Sequence, residues 1–173
     1  MWSFTDTRTA SSGSTRPCYI MSTISAMSEG LRISHVDDIE WTEVRVETDG
    51  TRRRSVWNRF IEMSPERSVM YTRYDPGFVL ARHSHVSTEV IFVVEGDMMV
   101  GDHHCPKGTC IVLDAGTMFG PIVAGEEGVH IFEMFPGTFK RQDADLEEWE
   151  AILKERGITS LPDPEFTIPP PPK

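Results

Sequence analysis

At 173 residues the chain has room for one domain with appendages but not for two, because domains run to roughly 100 to 200 residues. Its 39% hydrophobic and 25% charged residues exclude collagen-like, coiled-coil and wholly disordered classes, and a net charge of −10 argues against nucleic acid and anionic membrane surfaces as partners, with Arg52, Arg53 and Arg54 the single tight basic cluster. No apolar run approaches the roughly 20 residues of a membrane helix, and three cysteines, Cys18, Cys105 and Cys110, are too few for a disulfide framework, so a reducing, cytoplasmic setting is expected.

Residues 1–26 are rich in Ser and Thr and lack hydrophobic periodicity, which predicts a flexible tail. Residues 27–140 read as short strands divided by turn chemistry. The expected strands are Thr42 to Glu47, Val56 to Glu62, Arg67 to Tyr74, Phe78 to His83, Glu89 to Glu95, Asp97 to Gly101, Thr109 to Leu113 and Val129 to Phe135. Between them stand Asp49-Gly50, Asp75-Pro76-Gly77, Glu95-Gly96-Asp97, Gly101-Asp102, Pro106-Lys107-Gly108 and Glu126-Glu127-Gly128, each supplying a fixed or positive φ. Short strands at such spacing predict an all-β sandwich or barrel. In residues 141–160 the period changes: Leu146, Trp149 and Leu153 fall at i, i+3 and i+7 within Asp143 to Arg156, with Asp143 or Asp145 as cap and Gly157 beyond the last turn. This predicts one C-terminal amphipathic helix laid on the barrel. Residues 161–173 hold six of the twelve prolines and read as an extended tail, mobile or draped on the surface.

The chemistry concentrates between Gly77 and Gly96, where five residues separate Gly77 from His83, one separates His83 from His85, three separate His85 from Glu89, and six separate Glu89 from Gly96. Side chains alternate along a strand, so His83 and His85 share a face, and Glu89 keeps their parity if its strand is regular. Two neutral imidazoles and a carboxylate make the triad that holds Fe2+ or a similar divalent ion with positions left open. One divalent metal ion is therefore the expected cofactor, Fe2+ first, with Zn2+, Mn2+ or Ni2+ as alternatives.

This stretch resembles the first motif of the cupin superfamily and matches each of its fixed positions; the resemblance covers about Val56 to Phe135. It implies an antiparallel β-barrel of jelly-roll type with metal in its mouth, His83, His85 and Glu89 as ligands, and a homodimer, for which Val44 to Phe60 is the expected contact. The chain is also similar to the cupin domain of ChrR-type anti-sigma factors. The second cupin motif is partly kept. Gly108 and Gly116 stand in place, Asp114 replaces a proline, and Phe119 occupies the position of the last family ligand, a histidine. The site is thus expected to be one ligand short.

His130 is the candidate to fill the gap. In Val129 to Phe135 the acidic Glu133 shares a face with Val129, Ile131 and Phe135; if Glu133 faces water, His130 faces the interior as replacement ligand, substrate-site acid or base, or packed polar residue. Ile91, Val93 and Phe119 suggest an apolar substrate pocket. His103, His104, Cys105 and Cys110 straddle a turn, so no separate zinc site is expected and both cysteines read as small buried fillers. These readings combine into a small metal-dependent enzyme acting on a small-molecule substrate, dioxygenase-like, with a non-catalytic metal sensor or a redox-neutral cyclase, isomerase or lyase as alternatives.

Overall fold

The computed structural model describes residues 30–144 and 146–168; the segment expected to be a tail, residues 1–26, lies outside the described residues. A 3-10 turn at Val36–Asp38 leads into β1 (Thr42–Thr48), β2 (Arg53–Met63), β3 (Ser68–Tyr74), β4 (Val79–Leu80), β5 (His83–His85), β6 (Glu89–Val100), β7 (His103–Pro106), β8 (Cys110–Leu113), β9 (Ile122–Phe135) and β10 (Arg141–Asp143). Helix α1 (Glu147–Glu155) and β11 (Thr159–Ser160) follow. The main sheet runs β11-β1-β2-β3-β9-β6-β7, with β4 also on β9 and β8 also on β6, while β5 and β10 form a separate ribbon. All pairings are antiparallel. This is the expected all-β barrel of jelly-roll type with one C-terminal helix.

Strand alternation builds the core. Along β3, Ser68, Met70, Thr72 and Tyr74 point inward, and along β9, Val129, Ile131, Glu133 and Phe135 do the same. Apolar members of this set join Ile91, Val93 and Met98 of β6 in one cluster sealed from solvent.

Two expected turns are strands. Glu95-Gly96-Asp97 and Glu126-Glu127-Gly128 lie inside β6, of 12 residues, and β9, of 14. Gly96 (φ 72°) and Gly128 (φ 80°) hold positive φ as the sequence suggests, yet they bend continuous strands through irregular register between Val93 and Met98. Close approach adds to the demand for glycine: a Cβ on Gly96 would meet the Gly128 carbonyl oxygen at 2.1 Å, and one on Gly128 the Tyr74 carbonyl oxygen at 2.6 Å. The bend lets the first half of β6 pair with β8 and the second half with β7.

Helix α1 is shorter than expected because Asp143 belongs to β10, opposite His83. Its end is a Schellman turn: Gly157 (φ 64°) donates to the Lys154 carbonyl at 3.2 Å and Ile158 to that of Leu153 at 2.8 Å. Leu153 is buried, and Trp149 Nε1 donates to the Val79 carbonyl at 3.0 Å, so the helix docks on the barrel. The chain beyond it is draped rather than loose. Leu161 donates to the Val46 carbonyl at 3.0 Å, Asp163 pairs with Arg45, and Phe166 stacks on Phe60 with ring centres 5.9 Å apart. Among the described residues no helix is long and apolar enough to cross a membrane.

Candidate metal centre

The short strand β5 is clamped on both sides. Against β10, His83 sits opposite Asp143 and His85 opposite Arg141. Against the other neighbour, His83 N donates to the Phe119 carbonyl at 3.0 Å and Phe119 N to the His83 carbonyl at 2.9 Å. The degenerate second motif therefore keeps a structural task, and Gly116 N adds a bond to the His85 carbonyl at 2.8 Å. With β5 extended, the two imidazoles share a face, ring centres 5.1 Å apart and planes at 84°.

Each ring is also locked. His83 Nδ1 lies 2.8 Å from the Ala81 carbonyl and His85 Nδ1 2.7 Å from that of Phe139. A carbonyl only accepts, so both Nδ1 atoms carry the proton and both Nε2 atoms keep a free lone pair. Burial drives the His83 pKa down to about 3, with the nearby Arg141 guanidinium adding to the shift, and burial lowers His85 as well. The rings are neutral at physiological pH.

Glu89 opens β6 on the same face, 1% exposed, with Oε2 3.8 Å from His85 Nε2. Neither of its oxygens has a hydrogen-bond donor. What stands beside it is a second acid, Glu133, whose carboxyl takes a hydrogen bond from the Thr72 hydroxyl. Burial raises the pKa of Glu89, and the Glu133 charge raises it further; burial raises Glu133 too. As carboxylates both are acceptors, so a shared proton or a cation must reconcile them. A cavity of about 170 Å³ adjoins the group, with His83, His85, Glu133, Tyr74 and Arg141 among its polar lining and Phe166 at its apolar edge.

Of the three expected ligands, the His83 and His85 rings stand 5.1 Å apart and Glu89 Oε2 lies 3.8 Å from His85 Nε2. Phe119 is buried beside them, its ring centre 4.5 Å from that of His83 and 6.4 Å from that of His85. Ile91 and Val93 point inward but lie in the sealed core rather than on the cavity wall. The expectation for His130 is reversed: it faces outward, hydrogen-bonded to the Tyr71 hydroxyl at 3.0 Å, with the Trp41 ring 6.2 Å away. Glu133 takes the interior. Val129, Ile131 and Phe135, all fully buried, share the face of Glu133 and carry it inward, while the opposite face with Phe132 and Met134 is also apolar and leaves the pattern ambiguous in the sequence alone. Cys105 is buried as expected and Cys110 is exposed, because it sits on β8 opposite the outward-facing Phe92. His104 is spent on Asp97 at 2.8 Å.

The ChrR Cupin-like domain profile matches residues 30–136. The chain belongs to the ChrR cupin-like family. Solved structures of other cupins confirm the fold. The polyketide cyclase RemF from Streptomyces resistomycificus superposes with a TM-score of 0.55 at 16% identity, covering 68% of this chain and 88% of that one. An RmlC-like cupin from Shewanella frigidimarina gives 0.51 at 17% identity, covering 65% and 96%, and a putative acetylacetone dioxygenase from Methylibium petroleiphilum gives 0.50 at 16%, covering 66% and 85%. At these identities the likeness speaks for fold alone. No curated protein matches the sequence.

Cupins commonly bind a metal ion, and the donor chemistry of this one suits a divalent cation. Among the described residues no three His, Cys, Asp or Glu side chains form a closed ligand cluster. What the barrel mouth supplies is the donor set: two neutral imidazoles with Nε2 uncommitted and the buried Glu89 carboxyl, reached by no N–H, which a bound cation would hold as a carboxylate against the upward pull of burial.

Proposed function

We propose that this cupin is a metal-dependent enzyme acting on a small organic molecule by dioxygenase-like oxidation, with His83, His85 and Glu89 holding one divalent ion, Fe2+ in the first instance. The observation that carries this reading is the pair of locked, neutral imidazoles next to the donorless Glu89 carboxylate. Only a deprotonated ring nitrogen ligates, and burial together with Arg141 keeps His83 in that state. When bound, the ion supplies Lewis-acid activation of substrate oxygen atoms and a position for O2. The carbonyls of Ala81 and Phe139 hold the rings in orientation. The Phe119 ring packs against His83 from the core side, and Phe166 and Phe135 give the cavity apolar walls. A cavity of about 170 Å³ is well under the roughly 300 to 1,000 Å³ of pockets for drug-sized ligands, which favours a compact substrate.

The test begins with the metal content of protein purified without a histidine tag, followed by oxygen uptake with a panel of small carbonyl and catechol compounds. One equivalent of ion and substrate-dependent uptake supports the proposal. Substrate loss without uptake replaces it with a redox-neutral cyclase, isomerase or lyase. Bound ion with no turnover points to a sensor, and a protein that binds no ion overturns the reading. A homodimer is proposed with it, since open sheet edges are commonly covered by pairing; a particle of monomer mass, 19.6 kDa, in light scattering at micromolar concentration would rule that out.

A further inference from the structure

Glu133 is the residue for which the three-ligand reading has no use, and its surroundings are unusual for an acid. It is 9% exposed on the inner face of β9, between Ile131 and Phe135, which are both fully buried. It lines the same cavity as His83 and His85. β9 pairs Glu133 with Ile91 of β6, which brings its carboxyl within hydrogen-bonding reach of that of Glu89, itself 1% exposed and reached by no N–H. Among the described residues neither acid forms an ion pair with Lys or Arg, and the Thr72 hydroxyl is what fixes the orientation of Glu133. Two adjoining carboxyls in an apolar barrel are a costly arrangement unless they share a proton or a positive charge is placed between them, and a divalent ion held by both would displace that proton.

We propose that Glu133 is the fourth protein ligand of the divalent ion, supplying from β9 the coordination that Phe119 cannot give. This rests on the metal reading above. Two carboxylate charges then balance a divalent cation within a water-poor barrel, so the loaded centre is neutral. A donor set of two imidazole nitrogens and two carboxylates is also harder than one with three imidazoles. It therefore shifts preference toward Mn2+ and Fe2+ relative to Zn2+. The place of Phe119, with its ring 4.5 Å from that of His83, is near enough for a histidine there to serve the same ion.

The experiment uses the full chain stripped of metal and titrated with Mn2+ alone, following both affinity and the water-proton relaxation of the bound ion. Wild type should take one equivalent, and His83→Ala none. Glu133→Gln, which keeps size and loses charge, should bind at least roughly tenfold more weakly and show one additional water on the ion. Adding Phe119→His to Glu133→Gln should restore affinity and remove that water. If Glu133→Gln does not fold, Glu133→His carries the test: retained binding with selectivity moved toward Zn2+ supports the proposal, and unchanged Mn2+-over-Zn2+ selectivity overturns it. Glu133→Gln matching wild type in affinity and relaxation, while His83→Ala loses the ion, overturns the role of Glu133 and leaves the metal reading standing. Equal behaviour of wild type and His83→Ala overturns both.

Discussion

Three positions apart on β9, Glu133 and His130 face opposite ways, and each is the reverse of what charge alone suggests. Inside the barrel the acid is flanked by Ile131 and Phe135 and held by Thr72 beside Glu89. Outside, the imidazole rests against Tyr71 and Trp41, over whose ring Arg59 and Arg73 stack at 4.4 and 5.1 Å. A strand's facing is thus set by the majority of its side chains. Val129, Ile131 and Phe135 together remove far more apolar area from water than one carboxylate resists, at roughly 25 cal/mol per Å². An acid carried inside by such a strand must find a partner, which makes it a marker for chemistry.

The largest effect expected from this contrast is on metal retention. His83→Ala should reduce bound ion below detection by elemental analysis, whereas His130→Ala should keep a full equivalent. The two histidines differ in setting rather than in type: His83 is buried with Nδ1 committed to Ala81, and His130 shares Nδ1 with Tyr71 on the outer face. Loss of metal from His130→Ala with retention in His83→Ala would break the contrast outright.

A third buried acid sharpens it. Glu47 on β1 is 1% exposed, accepts from Val79 N at 3.3 Å through one oxygen and has no partner for the other, but the cavity it lines, a separate one of about 300 Å³ that Trp149 and Leu146 also line, contains no histidine. Burial raises its pKa to about 7 from an ordinary value near 4.5. The folded state thus holds this proton more tightly than the unfolded chain does, so its stabilisation is full below pH 4.5 and fades as pH climbs through 7. Glu47→Gln should gain up to about 3 kcal/mol in urea unfolding at pH 8, gain nothing at pH 4, and leave metal content unchanged. A metal deficit in this variant would show that buried acids matter here irrespective of nearby imidazoles.

Much of this was legible in the chain itself. Parity and spacing put His83, His85 and Glu89 on one face and give the strand class, because period-two alternation is a local property of an extended chain. Phe119 was found as the gap in the second motif, and the structure sets its ring against His83. Glu133 was not legible because both faces of Val129 to Phe135 carry apolar residues, and only the burial of Val129, Ile131 and Phe135, each at 0% exposure, decides between them. Gly96 and Gly128 carry an ambiguity of another kind. Positive φ is the same local signal in a turn and in a bent strand, and the choice between them rests on pairing with distant residues.

Truncation of residues 162–173 is the next smaller test. A loose proline-rich tail would be dispensable, whereas here Phe166 stacks on Phe60 of the inner barrel and Asp163 pairs with Arg45 at the rim of the cavity. An aromatic pair contributes about 0.5 to 1.5 kcal/mol beyond its buried area, and an exposed ion pair adds less. The shortened chain should therefore lose about 1 to 2 kcal/mol and admit solvent to the histidines. Unchanged thermal unfolding would show that the draped segment is not held.

The smallest effect is expected on the outer face, and it tests whether that face is independent of the site. Tyr71→Phe removes one hydroxyl, the partner of His130 Nδ1 at 3.0 Å, and leaves the ring in contact with Trp41 and His130 at centre distances of 5.9 and 5.6 Å. Both partners are only half-buried, so water can replace part of what is lost. A net cost of about 0.5 to 1 kcal/mol follows, read as a lower urea midpoint at unchanged slope. Metal affinity should not move, because Tyr71 and Thr72 are neighbours on β3 that point to opposite sides of the sheet and Thr72 alone reaches Glu133. A fall in metal affinity in Tyr71→Phe would mean that the position of β3 transmits the outer contact to Glu133, and the two faces of β9 would then have to be treated as one unit.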